Sequence, residues 1–142
     1  MTILTSYLDR ALDPERREVV IYRATQILRH VQFDTIAFMG LSGALIAPIV
    51  AYKMEKGVLA VRKDLGGHSP LLVEGNIGSQ KYVIIDDFTS TGETVYLIRK
   101  RIHAVAPEAE CVGIYEYFNH GFNAYWLDKT SPVSAPPVGV PL

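Results

Sequence analysis

The residues best suited to chemistry lie in the segment 81–94, which reads Lys-Tyr-Val-Ile-Ile-Asp-Asp-Phe-Thr-Ser-Thr-Gly-Glu-Thr. A short apolar run leads to two adjacent carboxylates, Asp86 and Asp87, and hydroxyl residues then lead into a helical pattern. The unpaired amides at a helix N-terminus suit phosphate, whereas ionised aspartate only accepts hydrogen bonds and suits sugar hydroxyls. The segment therefore predicts a sugar-phosphate site. Its predicted phosphate-binding residues are Thr89, Ser90, Thr91, Gly92, Glu93 and Thr94.

A plain structural role is the main alternative for this segment. Serine and threonine commonly cap helices, and aspartates commonly form turns. A single such residue would favour that interpretation. The complete string, placed after an apolar strand pattern, favours the binding site instead.

Short apolar runs alternate with helical patterns along the chain. The first long helix is predicted to begin at Pro14, because Asp13 is a favoured N-cap and proline suits the first helical position. The predicted helices are 14–30, 44–54 and 91–105, the predicted strands are 35–39, 58–61, 82–85 and 111–118, and the predicted connections include a turn at 40–43 and a long loop at 64–80 with a ribbon at 71–73. This order predicts an α/β fold, an open, mostly parallel twisted sheet with helices on both faces.

Three polar segments follow predicted strands. They are residues 40–43, the pair Arg62 and Lys63, and residues 86–94. The carboxyl ends of parallel strands meet at one edge of a sheet, and ligands of open α/β sheets bind there. We therefore expect the three segments to share one edge.

Length and composition limit the remaining choices. The 142 residues fit a single domain, and a net charge of −1 gives no electrostatic footprint for nucleic acid or an acidic membrane. The single cysteine, Cys111, excludes a disulfide within the chain and favours a reducing, cytoplasmic setting. Residues 35–52 carry no charge, but glycine and proline interrupt them, which favours a buried strand and helix over a membrane span.

Residues 81–94 resemble the signature of type I phosphoribosyltransferases that binds 5-phospho-α-D-ribosyl 1-diphosphate (PRPP). That signature is a hydrophobic strand, two acidic residues and a threonine-rich loop ending in Thr-Gly-x-Thr. The resemblance covers about residues 35–118. It implies that Asp86 and Asp87 hold the ribose diol and that the following loop binds the 5′-phosphate. Phe88 and Thr89 stand where small aliphatic residues are usual, so we expect different packing beneath the loop.

Two further segments match the family by position. Gly40-Leu-Ser-Gly-Ala44 stands where the family has its pyrophosphate loop, and Val61-Arg-Lys63 resembles the basic dipeptide that ends the second strand in the adenine and orotate enzymes. The residues that the resemblance implies for pyrophosphate binding are Leu41, Ser42, Gly43, Arg62 and Lys63.

The resemblance implies transfer of ribose 5-phosphate from PRPP to a nucleobase nitrogen, with release of pyrophosphate, by a homodimer. Mg²⁺ is implied to be held through PRPP, and direct ligation by Asp86 and Asp87 stays open. Residues 64–80 stand at the family's flexible catalytic loop, where His68 completes the candidate catalytic residues with the two aspartates. Because His68 is the only residue of this loop that could carry positive charge, a catalytically inactive PRPP- or nucleotide-binding regulatory protein is the alternative.

The sequence leaves the acceptor base open. A variable hood selects the base in this family, and residues 1–13 or 119–142 could form it around a core of about 14–118. The residues that suit either stacking on a flat base or the core of a last hairpin are Phe118, Phe122, Tyr125 and Trp126.

Three other enzyme classes fit poorly. Gly40-Leu-Ser-Gly-Ala44 lacks the final glycine of a hydrolase nucleophile elbow. A haloacid-dehalogenase-type phospho-acceptor needs carboxylates two residues apart, and Asp86 and Asp87 are adjacent. A P-loop kinase needs Gly-Lys-Ser/Thr, which the sequence lacks.

Overall fold

The computed structural model describes residue 4 and residues 8–64, 71–78 and 80–133. The helices are α1 (Asp9–Leu12), α2 (Pro14–Leu28), α3 (Leu41–Met54) and α4 (Glu93–Val105), followed by a 3-10 turn at Asp128–Thr130. The strands are β1 (Thr35–Met39), β2 (Gly57–Val61), β3 (Val73–Gly75), β4 (Lys81–Asp86), β5 (Glu110–Glu116) and β6 (Gly121–Asn123).

The six strands form one sheet in the order β3-β2-β1-β4-β5-β6. The four inner strands are parallel, and β3 and β6 are antiparallel at the two edges. The predicted open, mostly parallel sheet is therefore confirmed. Because β1 and β4 are direct neighbours, the segments that follow them lie at the same edge.

Alternate side chains of β4 enter two hydrophobic cores. Val83 and Ile85 belong to the core that α2 and α3 cover, whereas Tyr82 and Ile84 belong to the core that α4 covers. All four side chains are buried. Burial of both faces of a strand requires layers on both sides of the sheet. The helices thus cover both faces, as the sequence predicts.

Helix α2 begins where the sequence predicts. Oδ2 of Asp13 accepts a hydrogen bond from the amide of Arg16 at 3.0 Å, and Pro14 occupies the first helical position. This cap satisfies an amide that has no intrahelical partner. The helix then buries Val20 and Leu28 against the sheet.

Two helices begin at other residues than the sequence predicts, because one glycine makes each turn. Helix α3 begins at Leu41 rather than 44, since Gly40 alone reverses the chain with φ 88°. Helix α4 begins at Glu93 rather than 91, since Gly92 takes φ 82°. Glycine reaches this left-handed backbone without a steric penalty. The predicted turn at 40–43 is wrong, because only its first residue lies outside the helix.

The ribbon predicted at 71–73 lies at β3, two residues later. Val73 pairs with Val61 and Gly75 pairs with Leu59 in an antiparallel ladder. Pairing with β2 fixes this register, whereas local hydrophobicity alone favours the preceding leucines.

The last strand and its return differ from the prediction of a single strand at 111–118. Strand β5 ends at Glu116, and the chain turns back through His120, at φ 53°, into β6. Tyr115 then pairs with Phe122. Phe118 lies beyond the strand, and about half of its surface is exposed, 51%.

Parts of the two predicted hood segments join the body of the fold. Ala11 of α1 is buried in the core under α2, and β6 extends the sheet at its edge. None of the helices in the described ranges has both the length and the apolarity that a membrane span needs. The uncharged stretch at 35–52 is divided between β1 and α3, as predicted.

Candidate functional site

Asp86 ends β4 as a buried carboxylate. It is 6% exposed, and its Oδ1 accepts hydrogen bonds from Ser42 Oγ at 2.7 Å and from the Asp87 amide at 2.9 Å. Burial raises the pKa of Asp86 to about 6, although these two hydrogen bonds act in the opposite direction. Both bonds fall on Oδ1. A buried, oriented carboxylate with a raised pKa is common where ligands bind.

Asp87 is less buried and anchors two neighbouring segments. Its Oδ1 accepts a hydrogen bond from the amide of Phe88 at 2.7 Å, and its carbonyl oxygen accepts one from the amide of Phe118 at 2.9 Å. The side chains of Phe88 and Phe118 therefore start next to the acidic pair. Their rings lie 6.0 Å apart, and the guanidinium of Arg10 lies 4.2 Å from the centre of the Phe118 ring.

The segment between the acidic pair and α4 encloses a small hollow. Its volume is about 60 Å³, roughly the share of two water molecules in the liquid at ~30 Å³ each. The amide of Glu93 donates to Thr91 Oγ1 at 3.3 Å. Thr89 Oγ1 is buried and has no hydrogen-bond partner among the described residues. An orphaned hydroxyl beside a helix N-terminus suits an anionic oxygen. The residues that line the hollow are Phe88, Thr89, Ser90, Thr91, Gly92, Glu93 and Thr94.

Glu116 holds this loop from below, and sequence reasoning missed it. It pairs with Asp86 across the β4–β5 ladder and is 6% exposed. Its two carboxylate oxygens accept from the Thr89 amide at 2.7 Å and from Asn123 Nδ2 at 2.6 Å. A charged residue inside the apolar run at 111–118 was the signal that could have found it.

Trp126 closes the far side of the loop, which the sequence did not predict. A Cβ on Gly92 would lie 2.8 Å from the Trp126 ring. Arg99 fixes the segment that carries this tryptophan, because its Nη1 donates to the Leu127 carbonyl at 2.5 Å and to Thr130 Oγ1 at 3.1 Å. Gly92 is thus required both by its backbone and by the ring against it.

The first turn of α3 lies against Asp86. Ser42 Oγ donates to that carboxylate, and the Tyr117 hydroxyl donates to the Ser42 carbonyl at 2.8 Å. Gly43 allows the close approach, since a Cβ there would lie 3.0 Å from the Ile85 carbonyl oxygen. Leu41 is exposed. The structure therefore brings the predicted pyrophosphate and diol segments into direct contact.

The two basic residues after β2 differ in their surroundings. Lys63 is exposed, and its Cε would lie 3.9 Å from a Cβ on Gly40, close to the start of α3. Arg62 instead pairs with Glu74 of β3 at 3.0 Å, and its carbonyl accepts from Arg101. His68 lies outside the described residues.

The carboxylates of Asp86 and Asp87 are the ligand type that Mg²⁺ prefers. Within the described ranges, no group of three or more histidine, cysteine, aspartate or glutamate side chains could hold a metal ion. The two carboxylates therefore fit an ion that is shared with a bound ligand.

Comparisons with known proteins agree with this layout. No family model matches the chain. It is 31% identical over 85 residues to an orotate phosphoribosyltransferase of Pyrobaculum islandicum. The matched region covers 58% of this chain and 44% of the relative. The chain is 27% identical over 93 residues to an orotate phosphoribosyltransferase of Sulfolobus acidocaldarius, which covers 63% and 47%. The matches thus span about half the length of these relatives.

A solved structure has the same fold. It is the orotate phosphoribosyltransferase of Mycobacterium tuberculosis in complex with PRPP, with a TM-score of 0.62 and 16% identity over 78% of this chain and 64% of that one. At 16% identity, this structure shows a similar fold. The similarity in sequence comes from the curated relatives. In fold and in sequence, the chain is therefore similar to phosphoribosyltransferases of type I.

Proposed function

We propose that this chain binds PRPP at the carboxyl edge of its sheet and transfers ribose 5-phosphate to a nucleobase nitrogen, releasing pyrophosphate. The observation that carries the proposal is one continuous segment. Two acceptor carboxylates, Asp86 and Asp87, are followed by a hollow with hydroxyl groups and a helix N-terminus. Acceptors suit the ribose diol and donors suit the 5′-phosphate. The names of the relatives support the same substrate.

In this mechanism the protein positions PRPP and stabilises charge. Asp86 and Asp87 hold the two ribose hydroxyls, and Thr91, Thr94 and the orphaned hydroxyl of Thr89 bind the 5′-phosphate. The first amides of α3 and the ammonium of Lys63 neutralise pyrophosphate as it departs. An oxocarbenium-like transition state needs no protein nucleophile, so orientation and charge stabilisation supply the catalysis.

Mg²⁺ belongs to this proposal. Asp86 and Asp87 would share it with oxygens of PRPP. When bound, it supplies charge neutralisation on the pyrophosphate.

The acceptor base is proposed to lie beside Phe88 and Phe118. Both rings are about half exposed, at 53% and 51%, and both backbones are bonded to Asp87. Trp126 covers Gly92, and the Phe122 ring lies where a Cβ on Gly113 would be. Tyr125 is exposed as well, but its ring contacts Trp126 and Lys129 and has no hydrogen bond to the acidic pair. Exposed rings beside the diol residue suit a flat heterocycle. The names of the relatives make orotate the first base to test.

A regulatory protein that binds PRPP without turnover is the second candidate. One observation favours it, since Arg62, an expected ligand of pyrophosphate, pairs with Glu74 instead.

The resemblance also implies a homodimer, which sedimentation equilibrium would test.

The test of the proposed function is pyrophosphate release with PRPP, Mg²⁺ and a panel of adenine, guanine, hypoxanthine, xanthine, uracil and orotate. We expect release with one base, and no release by the Asp87→Asn variant, which excludes a contaminating enzyme. PRPP binding without release from any base would support the regulatory protein. Absence of both binding and release would refute the proposed function.

A further inference from the structure

Ser42 joins the segment predicted to bind pyrophosphate to the carboxylate predicted to bind the ribose diol. The sequence places it 44 residues before Asp86, and the fold brings its Oγ to 2.7 Å from Asp86 Oδ1. A serine hydroxyl carries one proton and can donate only one hydrogen bond. Because that proton is directed to Asp86, it is not available to a pyrophosphate oxygen in this structure.

The serine is itself held in place by buried neighbours. The Tyr117 hydroxyl, on a side chain that is 1% exposed, donates to the Ser42 carbonyl at 2.8 Å. A Cβ on Gly43 would lie 2.8 Å from the Cβ of Phe38, so the next residue of α3 packs directly on β1. Burial and close packing leave this turn little freedom. The Ser42 hydroxyl therefore reaches Asp86 from a rigid support.

The orientation of Asp86 depends on this contact. Oδ1 accepts from Ser42 and from the Asp87 amide. The second donor belongs to the neighbouring residue in the chain, whereas Ser42 reaches the carboxylate from a separate helix. A carboxylate held by two donors is preorganised for the hydroxyl that it must accept.

We propose that Ser42 is a positioning residue for the ribose diol, acting through Asp86, and not a side-chain ligand of pyrophosphate. This inference rests on the proposed function. Under the proposed function the α3 N-terminus then has two roles: its backbone amides serve the pyrophosphate, and the Ser42 hydroxyl orients the diol carboxylate.

The test compares fragments of PRPP by calorimetry. Ser42→Ala, Ser42→Thr and the wild-type chain are titrated with ribose 5-phosphate, inorganic pyrophosphate and inorganic phosphate. Ser42→Ala is expected to weaken ribose 5-phosphate about tenfold, because a hydrogen bond to a charged group contributes on that order. It should leave pyrophosphate and phosphate unchanged. Ser42→Thr keeps the hydroxyl and should restore ribose 5-phosphate.

A matched control is Thr25→Val, which removes an exposed hydroxyl that bonds to the Tyr22 carbonyl on α2. It should leave all three affinities unchanged. Weakening of pyrophosphate but not ribose 5-phosphate by Ser42→Ala would overturn the inference in favour of a pyrophosphate ligand. Equal weakening of all three ligands, or of none, would also overturn it. If the wild-type chain bound no fragment and no PRPP, the proposed function itself would fail.

A double-mutant cycle adds a second measurement. Ser42→Ala and Asp86→Asn should be non-additive on ribose 5-phosphate affinity, because the serine acts only through the aspartate. Additive losses would show that the two residues act independently and would overturn the inference.

Discussion

The two helices that begin at the ligand edge, α3 and α4, start in the same way and serve differently. Each follows a glycine with positive φ: Gly40 has φ 88° and ψ 174°, and Gly92 has φ 82° and ψ 3°. Helix α3 starts directly after β1, and its first turn packs on the sheet. Helix α4 starts after a loop that encloses a hollow of about 60 Å³.

The difference shows how a helix that starts after a glycine can form two kinds of site. At α3 the strand, glycine and helix are continuous, so the helix end is fixed close to the sheet and its side chains serve packing and orientation. At α4 six residues separate the strand from the helix, and the space they create is lined by hydroxyls. Helix N-termini attract anions in both cases, and at α4 the loop before the helix adds a hollow lined by hydroxyl groups.

The largest difference in stability between the two helix starts is expected when each glycine is replaced by alanine. Gly92→Ala combines left-handed strain with a contact of 2.8 Å to Trp126, and should lower the free energy of unfolding by about 3 to 4 kcal/mol. Gly40→Ala is strained at φ 88° and ψ 174°, a backbone region essentially restricted to glycine, but it meets open space, with Lys63 Cε at 3.9 Å, and should lose about 1 to 3 kcal/mol. Urea unfolding of both variants measures the difference. Equal losses would contradict the distinction.

The next effect concerns the carboxylate between the two helices, measured without magnesium. The pKa of Asp86 is raised to about 6 from 3.8, so its favourable contribution to stability is complete below pH ~4 and is lost as the pH rises through ~6. Asp86→Asn removes this loss. Its free energy of unfolding, relative to wild type, should increase by about 2 to 3 kcal/mol between pH 4 and pH 8. A pH-independent difference between the two proteins would refute the burial of an ionisable group at this position.

A smaller effect tests how the α4 loop is held. Glu116→Gln replaces one acceptor of the Thr89 amide or Asn123 with an NH₂ group, and should lower the free energy of unfolding by about 1 kcal/mol. The matched control is Glu110→Gln, an exposed glutamate at the start of the same strand. The control should stay within ~0.5 kcal/mol of wild type. If both variants behaved alike in urea unfolding, Glu116 would not support the loop.

The smallest effect is expected at the end of β2, at Arg62. Arg62→Gln breaks an ion pair whose side chains are 40% and 44% exposed, and should change the free energy of unfolding by less than ~0.5 kcal/mol. Thermal unfolding at low and high salt measures it. A loss of several kcal/mol would mean that the pair is structural.

The sheet and the phosphate loop could be predicted because the residues that form each strand, and those that form the loop, are contiguous in sequence. Alternating apolar runs predict the strands, and Asp86 to Thr94 carry their chemistry side by side. The contacts that join distant segments could not be predicted in this way. Ser42 meets Asp86, Glu116 meets Thr89, and Trp126 meets Gly92 only after the fold is formed.

Helix starts were misplaced for a related physical reason. A glycine followed by small residues is compatible with either a long turn or an immediate helix. At Gly40, packing of Gly43 against Phe38 and Ile85 favours the immediate helix. Local sequence carries no information about that close approach.

The central claim is that the acidic pair and the loop after it bind PRPP. Calorimetric titration of PRPP with Mg²⁺ into the wild-type chain and into the Asp86→Asn/Asp87→Asn double variant tests it most directly. The account predicts binding by the wild type and a loss of at least about a hundredfold in the variant, since two charged acceptors of the diol are removed. Equal affinity for PRPP in the two proteins would contradict the assignment of the site.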